Sequence, residues 1–235
     1  MIEAEWWDYD DMDELAEAVA GDVGFIIESA IDARGSAVIA LAGGKTPGPI
    51  LEKLAQAKID WKRVTIFPTD ERIVPLDDPM CNVASLARIF LPKGARVVPI
   101  ISEKAADYKA AGGAASSRIS DFHWPPDLVW LGVGEDGHTA SIFNGPDLED
   151  ALNAPAERKA VGVMPDPLPP EAPVARVTLT RNAIQSAKSL VIVLTGNAKR
   201  KLLEQAIKDG DSSPLPVGRV LAGLETPVDI HWCEG

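Results

Sequence analysis

This chain has few residues that could staple it covalently or hold a metal. Among 235 residues there are two cysteines and three histidines. Cys81 and Cys233 lie far apart and fall in no metal-ligand spacing, so both read as free thiols in a reducing compartment. His123, His138 and His231 show neither helical nor cysteine-linked spacing, and no metal site is expected. No apolar run approaches the roughly 18 residues that suggest a membrane span. A basic stripe is also absent: 23 Lys and Arg stand against 35 Asp and Glu, a formal net charge of −12. Membrane and nucleic acid are therefore not expected as partners. The opening Met1-Ile2-Glu3-Ala4-Glu5-Trp6-Trp7-Asp8 is acidic. It lacks the basic and apolar regions of a signal peptide, so a cytoplasmic chain is expected. No residue stands in a GxSxG elbow, and the Gly43-Gly44-Lys45 loop has neither the GxxxxGK[ST] nor the GxGxxG spacing, so a nucleophile elbow is set aside, as are a Walker A loop and a dinucleotide fingerprint at that loop.

What is present is a regular alternation of short apolar runs and helical patterns. The length suits one domain over residues 1–235 that buries a sizeable core. Acids at 10–14 favour a helix start, and Leu15, Val19, Val23, Ile27 and Ile31 then recur at helical spacing. Strands are expected at 37–42, 64–67, 96–100, 127–133, 160–163, 176–179, 189–194 and 227–232. Helices are expected after Pro47, over 82–90, over 103–119, after the N-cap Thr180, from the turn at 195–199 to near 209, and at 217–221. Gly112-Gly113 should weaken or kink the helix over 103–119. The stretch 144–157 reads as loop with one helical turn at most, and 165–173, with five prolines, as extended linker. Strands alternating with helices argue an α/β fold with a parallel sheet covered on both faces.

The organising stretch is Leu128-Val129-Trp130-Leu131-Gly132-Val133-Gly134-Glu135-Asp136-Gly137-His138-Thr139-Ala140-Ser141. A buried strand stops at a turn with three glycines, two carboxylates and a histidine, which is where open parallel sheets place their ligands. Imidazole is the usual general base, and a nearby carboxylate can orient it. The alternative is a solvated turn histidine. His123, beside Trp124-Pro125-Pro126, and His231, within the last strand, read as structural. Gly43-Gly44-Lys45-Thr46-Pro47 joins another strand to a helix start. It reads either as an anion cradle of exposed N–H groups or as a plain tight turn. Asp70-Glu71-Arg72 is either a salt-bridged surface turn or carries an oxyanion clamp in Arg72. Arg176 and Lys199 are each readable as surface charges. Together with Lys45 and Arg72 they put cations at four strand ends, a selective place for an anionic substrate on an acidic protein. Ser141 stands too close to His138 in the turn to assume a triad, which favours attack by water.

Five stretches then carry a resemblance. They are Leu41-Ala42-Gly43-Gly44-Lys45-Thr46-Pro47, Thr69-Asp70-Glu71-Arg72-Ile73-Val74-Pro75, Gly132 to Phe143, Arg176-Val177-Thr178-Leu179-Thr180, and Thr195-Gly196-Asn197-Ala198-Lys199. In this order the chain resembles the 6-phosphogluconolactonases of the glucosamine/galactosamine-6-phosphate isomerase/6-phosphogluconolactonase family. The resemblance implies a Rossmann-like three-layer α/β/α sandwich with a mainly parallel central sheet. It implies hydrolysis of 6-phospho-D-glucono-1,5-lactone, a small phosphorylated sugar lactone, without cofactor or metal, by a monomer or weak homo-oligomer. The phosphate is expected on Gly43, Gly44, Lys45 and Thr46, with Arg72, Arg176 and Lys199. His138 is the expected general base, with Asp136 and Asp70 orienting it or the sugar hydroxyls. Lys45, Cys81-Asn82 and Asn144 depart from the common pattern of that family. The related aminosugar-phosphate deaminases place a carboxylate five residues after the histidine, where this chain has Phe143, and tend to carry Asp-Glu-Tyr in place of Asp70-Glu71-Arg72. A non-catalytic sugar-phosphate sensor would usually bring a helix-turn-helix domain, for which no length is spare.

Overall fold

The structure is a computed structural model describing residues 2–44, 46–101 and 105–235. Its centre is a seven-stranded sheet in which every pairing is parallel. The strands are β1 (Ala4–Tyr9), β2 (Ala37–Leu41), β3 (Val64–Pro68), β5 (Arg96–Val97), β6 (Leu128–Leu131), β9 (Leu190–Thr195) and β10 (Val228–Cys233), in the spatial order β1-β10-β9-β6-β2-β3-β5. A smaller antiparallel sheet holds β4 (Asp70–Arg72), β8 (Arg176–Leu179) and β7 (Ala160–Val163). The helices are α1 (Met12–Arg34), α2 (Pro47–Leu54), α3 (Asn82–Phe90), α4 (Tyr108–Ser120), α5 (Leu148–Leu152), α6 (Arg181–Gln185), α7 (Asn197–Asp209) and α8 (Pro216–Leu221).

The central strands are apolar at every position because both faces are buried. Along β2, Ala37, Ile39 and Leu41 enter one core with α1, α2 and α3, while Val38 and Ala40 enter the other. Along β6, Leu128 and Trp130 take the first side and Val129 and Leu131 the second. This period of two fixes the register, since a slip by one residue would exchange the cores. The second core is filled from α4, α6, α7, α8 and the small sheet. The result is the three-layer α/β arrangement with helices on both sides.

Local signals set the ends. Asp11 accepts the backbone N–H of Glu14 at the start of α1, and Gly35 takes φ +80° to close it. Asp127, 2% exposed, accepts the N–H of Val38 at 2.9 Å and pairs with Arg34 and Lys188, pinning β6 beside β2. His231 is buried, with Nδ1 2.9 Å from the Tyr9 hydroxyl. Burial holds its imidazole below its ordinary pKa, against the fields of Asp22 and Asp229, which fits a structural, neutral ring.

Five readings of the sequence need correction. Residues 4–9 form an edge strand that alternation did not reveal, because Trp6 and Trp7 sit among acids and the partner, β10, lies at the other end of the chain. Asp70-Glu71-Arg72 is not a surface turn: it is strand β4, paired antiparallel with β8, and Asp70 and Glu71 are buried. The strand expected over 96–100 is confined to Arg96–Val97. The helix placed over 103–119 starts at Tyr108, where Asp107 accepts the N–H of Ala110, and the proposed start at 103 lies outside the described residues.

The fifth correction concerns Gly112-Gly113, since α4 runs through both without a break. A Cβ on Gly112 would stand 1.9 Å from the Gly162 nitrogen, and one on Gly162 would stand 1.7 Å from the Tyr108 oxygen. Two facing glycines therefore let α4 lie directly on the backbone of β7. Gly113 faces solvent, with nothing within 4 Å of its Cβ position. Gly112→Ala is expected to destabilise the fold by about 1–3 kcal/mol or more through overpacking. Gly113→Ala should stabilise it by about 0.5–1 kcal/mol through helix propensity alone. Urea unfolding of the two variants checks the opposite signs; equal effects would mean that the α4–β7 contact is looser than described.

Candidate active site

Strand β2 is followed by connections running towards β3 and β5, and β6 by connections running the other way along the sheet, towards β9 and β10. The chain thus changes direction between two neighbouring strands, which opens a crevice at their C-terminal ends. A cleft of about 230 Å³ lies there. Gly43, Gly44 and Thr46 reach it from the end of β2, Asp70 and Arg72 from β4, and Asn82 from the start of α3. Gly132, Gly134, His138 and Ala140 come from the turn after β6, Arg176 from β8, and Thr195 and Lys199 from the β9–α7 junction. Asp136 lies beside His138 on an adjoining groove that also contains Pro167, Leu168 and Glu171. Lys45, expected with the glycine loop, lies outside the described residues.

The turn after β6 is built to present an imidazole. Gly134 N–H donates to the His138 carbonyl at 2.9 Å, Gly137 N–H to the Gly134 carbonyl at 3.1 Å, and the Thr139 hydroxyl to the Gly132 carbonyl at 2.8 Å. Gly137 takes φ +78° to close it. Ala140, at φ +48°, is the one non-glycine with a left-handed backbone among the described residues, a conformation costing about 1 kcal/mol. Within this turn His138 Nδ1 stands 2.5 Å from Asp136 Oδ1. Burial alone would raise the Asp136 carboxyl, but the hydrogen bond and charge of His138 outweigh it and hold Asp136 below its ordinary value. An ionised carboxylate can only accept, so Nδ1 carries the proton and Nε2 is the basic nitrogen. The ring is stacked on Phe143, centroid to centroid 4.2 Å, and the Arg176 guanidinium covers that phenyl ring at 5.0 Å.

Asp70 does something different. It is buried, accepts the Ser141 hydroxyl at 2.5 Å through Oδ2, and faces the Thr69 hydroxyl at 3.3 Å through Oδ1. Ser141 is itself 0% exposed, and its N–H donates to the Thr178 hydroxyl at 3.1 Å. Its hydroxyl is thus occupied and out of reach as a nucleophile. No hydrogen bond joins Asp70 to His138 among the described residues. The two carboxylates that the sequence left interchangeable are separated by geometry: Asp136 holds the imidazole, and Asp70 braces the wall between β4 and the turn.

The cations gather at the other side of the cleft. Arg176 is 3% exposed, with Nη2 on the Ala172 carbonyl at 3.2 Å. Burial lowers its pKa, Asp70 opposes that, and Arg72 adds to it. Arg72 Nη1 donates to the Met80 carbonyl at 2.9 Å and to Asn82 Oδ1 at 3.0 Å. The Nε atoms of Arg72 and Arg176 are both buried without a hydrogen-bond partner among the described residues. Neither arginine, nor Lys199 in the first turn of α7, forms an ion pair there. The Thr46 hydroxyl is not used to cap α2. Unpaired guanidinium and ammonium groups beside a glycine loop and two helix N-termini make a place for an oxyanion. Asn82 is a cleft residue that sequence reasoning noted only as part of the Cys81-Asn82 pair. Its contact with Gly43, where a Cβ would stand 2.1 Å from Oδ1, has no local sequence signal. His123 is exposed and lines no part of the cleft. Among the described residues no group of three or more His, Cys, Asp or Glu is placed to hold a metal ion, and no helix is long and apolar enough to cross a membrane.

Comparison with known proteins gives a consistent picture. The family described as glucosamine-6-phosphate isomerases/6-phosphogluconolactonase matches residues 10–232. A 6-phosphogluconolactonase of Rhizobium meliloti (strain 1021) is 37% identical, over 93% of this chain and 94% of its own. One from Pseudomonas putida is 34% identical, over 95% and 90%. Among solved structures, a 6-phosphogluconolactonase from Shewanella baltica OS155 superimposes with a TM-score of 0.88 at 30% identity, covering 98% of both chains.

Proposed function

The chain belongs to the glucosamine-6-phosphate isomerase/6-phosphogluconolactonase family, and from that premise we propose that it hydrolyses 6-phospho-D-glucono-1,5-lactone to 6-phosphogluconate with His138 as general base. As in the lactonases it resembles, its reaction is the opening of a phosphorylated sugar lactone. The observation that carries the reading is one cleft with two chemically distinct ends. Unpaired Arg72, Arg176 and Lys199 stand at one end, and the Asp136–His138 pair at the other.

The chemistry follows from that polarity. The phosphate dianion takes the arginines, Lys199, the Thr46 hydroxyl and the N–H groups of Gly43 and Gly44. Anchoring there holds the lactone carbonyl near His138, so that remote binding is turned into orientation. His138 Nε2 takes a proton from water as the water oxygen bonds to C1. The tetrahedral adduct then collapses, the C1–O5 bond breaks, and the imidazolium returns its proton to O5. Asp136 keeps the basic nitrogen facing the water and stabilises the imidazolium. Asp70, through Ser141, fixes the β4 wall. Phe143 packs on the imidazole at the position where the deaminases of the family place a carboxylate, which favours the lactonase over the deaminase.

The test is hydrolysis of freshly generated 6-phosphogluconolactone, corrected for spontaneous opening, with ammonia release from glucosamine 6-phosphate as the contrasting assay. Lys199→Ala and Arg176→Ala should each raise KM by about tenfold or more, with smaller changes in kcat, as loss of a charge-assisted hydrogen bond predicts. If both variants bind 6-phosphogluconate as tightly as wild type, the phosphate does not lie among these cations.

A further inference from the structure

Resting on that reading of the phosphate end, we infer that Glu71 is a positioning residue. From outside the cleft it locks the start of α3 and, through Asn82, the guanidinium of Arg72. Glu71 is 2% exposed and does not line the cleft that holds His138. Its carboxylate accepts three backbone N–H groups: Oε1 takes Arg72 at 2.9 Å and Asn82 at 2.7 Å, and Oε2 takes Val83 at 2.7 Å. The Cys81 thiol adds a weak contact to Oε2 at 3.7 Å. Asn82 and Val83 are the first residues of α3, whose own N-cap, Cys81, makes no side-chain cap. A carboxylate supplied from β4 therefore does what a local Ser, Thr or Asp usually does, with the favourable sign for a helix N-terminus.

The cap reaches the cleft through one side chain. With its backbone held by Glu71, Asn82 donates its amide N–H to the Asp70 carbonyl at 2.8 Å, and its Oδ1 accepts from Arg72 Nη1 at 3.0 Å. The same Asn82 fills the space that a side chain at Gly43 would need. Glu71 thus ties three parts of the phosphate end together: the Arg72 backbone, the Arg72 side chain and the glycine loop after β2. A guanidinium acts on a phosphate through a fixed fork geometry, so its value depends on what holds it. Burial and the field of Asp70 push the Glu71 carboxyl up to about 6, and the three N–H groups oppose that rise. At neutral pH it is ionised, so both oxygens are available as acceptors.

The experiment compares two substrates that differ only in the phosphate. The kcat and KM of wild type, Glu71→Gln and Glu71→Ala are measured on 6-phosphogluconolactone and on glucono-1,5-lactone, alongside thermal unfolding. Wild type is expected to prefer the phosphorylated lactone. Glu71→Gln, which keeps one oxygen acceptor and loses the other, should raise KM for the phosphorylated lactone about tenfold, and Glu71→Ala about 10- to 100-fold. In both variants kcat/KM on glucono-1,5-lactone should stay within about twofold, so the preference for phosphate collapses. Should the alanine variant not fold, the glutamine variant carries the comparison. Equal losses on both lactones would show that Glu71 only supports the fold and would overturn the inference. An undiminished phosphate preference in Glu71→Gln would overturn it too. A wild type that treats both lactones alike would overturn the phosphate reading itself, and the inference with it.

Discussion

His138→Ala is expected to lower kcat for lactone hydrolysis by about 10²–10⁴-fold, the usual worth of a general base, while 6-phosphogluconate still binds close to wild-type affinity. The separation follows from the layout of the cleft. The groups assigned to the phosphate stand on β4, β8, α7 and the loop after β2, whereas His138 stands on the turn after β6. Removing the imidazole leaves every cation in place. The substrate should therefore be anchored as before, but its attacking water would no longer lose a proton to an adjacent base. Some activity should survive, because orientation by the phosphate and the reactivity of the ring ester do not depend on His138. Steady-state kinetics corrected for spontaneous hydrolysis, with calorimetric titration of 6-phosphogluconate, measures both halves. A near-normal kcat would remove His138 from the mechanism. A normal kcat with lost product binding would reverse the two ends of the site.

Much of the arrangement behind this expectation was legible in the sequence, for a physical reason. Strands buried on both faces read as continuous apolar runs, and β2, β6 and β9 each end abruptly at glycine. The three ends that line the cleft therefore announced themselves locally. The dyad was legible too, since Asp136 and His138 meet within one turn. What stayed hidden was long-range. Asp70 and Asp136 were interchangeable until Ser141, 71 positions from Asp70, was seen to hold the former. Asn82 looked like the first residue of a helix and one half of the Cys81-Asn82 pair, with no sign of its contact with Gly43. Glu71 read as part of a salt-bridged surface turn, yet two of its three backbone partners lie about a dozen positions away. Gly112 was misread because helix propensity is local, whereas its value lies in contact with a strand at Gly162. Strand β1 was missed because its pairing joins the two ends of the chain.

The second large effect is expected from Gly134→Ala, a change of one methyl group. A Cβ at Gly134 would stand 2.2 Å from both Cε1 and Nδ1 of His138 and 2.8 Å from Asp136 Oδ1. No atom pair tolerates such distances, so something must move. The Gly134 backbone is not in the left-handed region, so alanine is permitted there. Both obstructing groups are the ends of side chains, and Asp136 is exposed. The cheapest relief is for the imidazole and its carboxylate to swing away while the turn keeps its backbone hydrogen bonds. Displacing a reacting group by about 1 Å costs on the order of 10² in rate. Gly134→Ala should therefore lower kcat by about 10²-fold or more, with KM and the unfolding temperature close to wild type. Kinetics and a thermal melt on the same preparation check it. Wild-type turnover would mean that the ring is held elsewhere during catalysis. A large drop in unfolding temperature would mean that the backbone, and not the dyad, absorbs the methyl.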